Sequence, residues 1–163
     1  MPRESKIDKK LRKFREEFWP EVPAERLWDR KVHKGFSTIP RTLSLLIVII
    51  NHLTSGSPCG TVYLELWCRI RELPVVEFES ATEHAFHSGY AGQRSVQTWR
   101  SKLQALEGLG FISIKPGAHG PISYVLLFNP HQVVKQLNKA GEIPPALFNA
   151  LVSRAEEIGA KDL

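Results

Sequence analysis

Cysteine is scarce in this chain: its 163 residues hold two, Cys59 and Cys68. No second Cys or His pair stands at finger spacing, so neither a disulfide framework nor a structural zinc site can be built from them. Reduced thiols in a cytoplasmic protein are the expectation. Long apolar runs are missing too, the longest falling well short of the roughly 18 residues a membrane span requires. The chain begins Met-Pro-Arg-Glu-Ser-Lys and continues charged, without the apolar stretch of a signal peptide. A soluble, unexported protein with no membrane partner is expected.

Catalytic signatures are absent in turn. There is no Gly-x-Ser-x-Gly, no Gly-x-x-x-x-Gly-Lys, no Gly-x-Gly-x-x-Gly after a strand and no His-Glu-x-x-His. Gly89, Gly92, Gly108, Gly110, Gly117 and Gly120 all fall at expected turns, and nothing sets a nucleophile beside a base. His84 and His87 have a chelating i, i+3 spacing beside Glu83, but no third and fourth ligand stands near, so they read as structural. The expectation is a protein that is not an enzyme and uses no cofactor or metal.

What is present is one sizeable core's worth of apolar residues, 42% of the chain, and a net charge of +5 that favours an anionic partner. The most informative stretch is 91–117. Val96, Trp99, Leu103 and Leu106 recur at helical spacing and mark one apolar face of a helix over 93–107, with Gly108 and Gly110 as left-handed positions ending it. The opposite face carries Arg94, Gln97, Thr98, Ser101 and Gln104, with Gln93 at its start, Arg100 and Lys102 on its flanks, and no acid until Glu107. Arg, Gln, Thr and Ser offer donors and acceptors to base edges in the major groove, while flanking Arg and Lys neutralise phosphates. An ordinary solvated face would more often pair Glu with Lys at i, i+4.

Upstream, Ser80-Ala-Thr-Glu83 has the form of a capping box before a short helix with Ala81, Ala85 and Phe86, followed by a glycine-containing turn at 88–92. Downstream, the β-favouring runs 111–115 and 122–128 flank the turn 116–121 and read as a hairpin, with 75–78 as a third short strand. Over residues 75–128 this order resembles the winged helix-turn-helix superfamily of DNA-binding proteins, of the bacterial regulator or replication-initiator type. The resemblance implies a mainly α fold with a small antiparallel β-sheet, double-stranded DNA as partner, and a wing in which Lys115 and His119 are accessory contacts. A protein-binding module and a plasmid-type replication initiator are the alternatives.

The remaining sequence reads as extensions and scaffold. Residues 4–18 place Ile7, Leu11, Phe14 and Phe18 on one side of a helix amid Lys6, Lys9, Lys10, Arg12, Lys13 and Arg15. Such a helix packs on a domain, touches DNA backbone or lies on a membrane surface; Phe14, Phe18 and Trp19 look like core anchors. An irregular packed linker follows, with Trp28 as anchor, so 1–36 forms an amino-terminal region. Residues 37–130 are expected to form the winged helix-turn-helix domain, with scaffold helices over 40–53 and 61–71. Residues 131–163 then form a helical extension over 131–140 and 145–158. Its last stripe, Leu147, Phe148, Leu151, Val152, Ala155 and Ile158, either docks on its own domain or meets its copy in a homodimer.

Overall fold

Residues 4–163 are described by the structure, a computed structural model, and they divide into two units that meet in sequence between Phe36 and Ser37. The first unit is built on α1 (Lys6–Phe18). Ser5 caps it, its hydroxyl oxygen accepting from the Asp8 N–H at 3.1 Å, and Asp8 itself sits in the first turn where the helix dipole favours a carboxylate. Phe14 and Phe18 pack in a tilted arrangement one turn apart with ring centroids at 5.9 Å. No residue of α1 is buried. Phe14, Phe18 and Trp19, expected as core anchors, are 39%, 58% and 55% exposed. Residues 19–36 explain this: Pro20 and Pro23 limit them to a single 3-10 turn, Ala24–Arg26, and Trp28 stacks on His33 at 5.0 Å in the open instead of anchoring a core.

The second unit holds α2 (Leu43–Leu53), α3 (Gly60–Arg69), β1 (Val75–Glu77), α4 (Ala81–His87), α5 (Ser95–Leu109), β2 (Ile112–Gly117), β3 (Gly120–Leu127), α6 (Pro130–Lys139) and α7 (Pro145–Ile158). It is mainly helical with a small antiparallel sheet of order β1-β3-β2. Period-two alternation turns Val76, Val125, Leu127 and Ile112 into the core, and the register sets Val76 beside Val125 and Ile112 beside Leu127. The β-branched run of α2 is helical, not a strand: Leu43, Leu46, Ile49 and Ile50 are buried at helical spacing, and the Thr54 hydroxyl closes the last turn on the Ile50 carbonyl. α2 and α3 approach closely at Gly60, where an added Cβ would lie 2.6 Å from both Ile47 Cγ2 and Asn51 Oδ1. That contact admits only glycine.

α6 and α7 complete the same core through Val133, Val134 and Leu151, so the carboxy-terminal helices belong to this unit. α7 packs on α2 and buries Leu151 and Ala155, so the stripe on which the homodimer alternative relied is used largely within the chain. A hydrogen-bonded chain, buried at Thr42 and His131 and partly open at Asp162, fastens these parts together. His131 Nδ1 donates to Asp162 Oδ1 at 2.7 Å, leaving Nε2 to accept from the Thr42 hydroxyl at 2.7 Å. Burial pulls the Asp162 carboxyl upward, but hydrogen bonds from Asn129 and His131 outweigh it and hold the group below its ordinary value.

Candidate nucleic-acid interface

α5 is held by its apolar side. Trp99, Leu103 and Leu106 are buried, and Trp99 meets Phe78 edge-on at 5.0 Å and stacks on His84 at 6.2 Å. Gly110, at φ 90°, ends the helix in the left-handed conformation, and the Phe111 N–H returns to the Leu106 carbonyl at 3.0 Å. Gly108, expected at a second left-handed position, is helical instead, because the helix runs on to Leu109, which packs against the core. At the other end the helix begins at Ser95, so Gln93 and Arg94 lie in the turn before it.

The opposite side of α5 is open. Gln93, Arg94, Gln97, Ser101 and Gln104 are exposed and Thr98 is half-buried. Four of these residues are brought together: Arg94, Gln97, Thr98 and Ser101 line a concavity of about 310 Å³ whose fifth wall is Ser57, from the loop between α2 and α3. No carboxylate lines it. Glu107, the nearest acid on the helix, instead accepts from the Ile114 N–H at 2.7 Å and fixes α5 to β2. Lys115 and His119 are exposed on the β2–β3 hairpin and are not part of this concavity.

Two flanking residues differ from their expected role. Lys102, read as a phosphate contact, is buried at 6% exposure, so its ammonium cannot meet a phosphate directly. Its Nζ donates to Ser57 Oγ at 3.0 Å and to the Pro58 carbonyl at 2.6 Å, and it lies over the Tyr90 ring at 5.4 Å. Among the described residues no carboxylate pairs with it. The spacing contained the signal, since Lys102 follows Trp99 by three and precedes Leu106 by four, within the apolar stripe. Arg100, the other flanking cation, is half-buried with its Nε unpartnered. Ser57 was invisible to a reading by periodicity because it lies in a loop 45 residues from Lys102.

His84 is a core residue. Buried between Phe78 and Trp99, it has its pKa lowered to about 4, first by burial and then by the nearby Arg69 charge. His87 instead meets Arg69, and no group of three His, Cys, Asp or Glu among the described residues is placed to hold a metal. Thr42, His131 and Asp162 have the order hydroxyl, imidazole, carboxylate, which is the order of a nucleophilic triad. Thr42 is fully buried, so its oxygen is closed to solvent although the three residues border a cavity of about 510 Å³, and their bonds clasp the start of α2 to α6 and the chain's last residues. No helix of the described residues is long and apolar enough to cross a membrane. No protein-family model, curated protein or solved structure matches this chain.

Proposed function

We propose that this chain is a winged helix-turn-helix protein that binds double-stranded DNA in transcriptional control, with α5 in the major groove and the β2–β3 hairpin as an accessory wing. The observation that carries the reading is the acid-free open side of α5, where Arg94, Gln97, Thr98, Ser101 and Gln104 stand opposite the buried Trp99, Leu103 and Leu106. A helix so held presents donors and acceptors from a rigid platform, which is what base-edge recognition needs. The element order α4, turn, α5, hairpin supports the same reading.

Selection from random duplexes, followed by titration of the selected and a scrambled duplex, tests it. Arg94→Ala and Gln97→Ala each lose about 1 to 3 kcal/mol of discrimination between the two, the cost of a bidentate base contact. Full affinity and full preference in both variants would remove α5 as the reader. A second reading, a protein-binding module, is favoured by the open Phe18, Trp19 and Trp28. Salt separates the two, because binding through several phosphates weakens steeply as salt rises.

A further inference from the structure

Lys102 raises a physical question. Lysine is almost never fully buried unless paired, and here an ammonium at 6% exposure has no carboxylate, only the Ser57 hydroxyl, the Pro58 carbonyl and the Tyr90 ring. These three partners belong to two separate segments, the 54–58 loop and the turn before α5. Both are thereby fixed to α5. The loop has few ties of its own near its tip: the Ser57 N–H reaches back to the Thr54 carbonyl at 2.8 Å, while Ser55 and Gly56 lie open.

The direction of these bonds matters. Ser57 Oγ accepts from the ammonium, so its own proton is left to donate, and no acceptor within the described residues takes it. A hydroxyl polarised by a cation is a stronger donor than a free one. It lines the concavity together with the hydroxyls of Thr98 and Ser101, neither of which hydrogen-bonds among the described residues, and with Arg94 and Gln97. The result is a recess lined by hydrogen-bond donors, backed by a buried positive charge that water screens poorly, and free of acids. Its chemistry fits a singly charged oxyanion.

We infer that this recess seats one backbone phosphate of the bound duplex, and that Lys102 is the positioning residue that holds Ser57 in place to receive it. The inference rests on the DNA-binding reading and divides the labour within it. Ser57, Thr98 and Ser101 are short and reach only a backbone pressed against the protein, whereas the longer Arg94 and Gln97 at the mouth extend past it to base edges. Lys102 thus serves DNA without touching it: it supplies charge from behind and fixes the loop from below.

The test uses the full chain, a selected duplex, a scrambled duplex, and a series of selected duplexes each carrying one neutral methylphosphonate. With the wild type, one methylphosphonate position weakens binding more than its neighbours. Ser57→Ala lowers affinity for both duplexes alike, by about three- to tenfold as for one lost hydrogen bond, without changing preference. It also becomes insensitive to the methylphosphonate at that one position. Lys102→Met behaves in the same way, and the double variant is no weaker than either single one, since both act on one contact. Ser57→Ala binding like the wild type at every methylphosphonate position overturns the seat, and this surface variant decides the matter even where Lys102→Met does not fold. Additive losses in the double variant overturn the positioning role of Lys102. Absence of any duplex binding by the wild type removes the DNA-binding reading itself, which is a different failure from a wild type that binds and discriminates while Ser57→Ala changes nothing.

Discussion

α1 and α5 look alike as sequence and end differently as structure. Both are helices of three to four turns with an aromatic-bearing apolar stripe and several cations. α5 buries most of its stripe, with Trp99, Leu103 and Leu106 at 1% exposure or less and Val96 half-buried, whereas Ile7, Leu11 and Phe18 of α1 are all more than half exposed. The difference is one of supply. α5 is flanked in sequence by strands and helices that bring Phe78, Phe111 and Tyr63 against it, while α1 is followed by proline-broken chain that forms one short turn. Periodicity tells which side of a helix is apolar; whether anything covers that side depends on the elements around it.

Three measurements can break or sharpen this contrast. The largest effect belongs to Trp99→Ala, which removes the biggest fully buried side chain and costs about 3 to 5 kcal/mol by urea unfolding. Phe14→Ala, its counterpart on α1, costs about 0.5 kcal/mol or less. Equal losses in the two variants would erase the distinction.

Next comes His84, packed on Trp99. Its pKa is about 4 in the folded protein against an ordinary 6.5, so in between the unfolded chain binds the proton more readily. Stability is therefore unaffected by this group above pH 6.5, falls as the pH drops from about 6.5 towards 4, and levels off below; the total loss is up to about 3 kcal/mol. Replacing His84 with Phe flattens that slope. A slope unchanged by the replacement would mean that the ring is hydrated and the packing around Trp99 looser than described.

The smallest effect on stability comes from deleting residues 1–18, which leaves the urea midpoint of the Ser37–Leu163 unit within about 0.5 kcal/mol of its original stability. If the chain binds duplex as proposed, the deletion acts on that binding instead. Affinity falls for all sequences alike and the salt dependence becomes shallower, because the lost cations no longer displace counterions. A fall of several kcal/mol in stability would show that the stripe of α1 has a partner in the core after all.

The sequence made legible whatever repeats locally. The stripe of α5, the capping serine at Ser80, the β-favouring runs of β2 and β3 and the helix-ending Gly110 all follow from neighbours a few residues apart. Within the candidate interface, the open residues of α5 were readable for the same reason. What escaped depends on distant segments: Lys102 turns inward because Ser57, Pro58 and Tyr90 surround it, and Ser57 joins the site only through that contact. The exposure of Phe18 and Trp19 escaped for the converse reason, since an aromatic residue looks the same in sequence whether or not something covers it.

The clasp of Thr42, His131 and Asp162 also bears on the order in which the protein can assemble on the ribosome. Its members are separated by 89 and 31 residues, so a chain made from its amino end exposes Thr42 long before either partner exists. α3 can pack on α2 soon after both are made, but the side of α2 that meets α7 stays uncovered until α7 and Asp162 have been synthesised. During that interval part of the apolar surface formed by Leu43, Leu46, Ile49 and Ile50 lacks its final cover. The clasp is thus among the last contacts this unit can make during its synthesis.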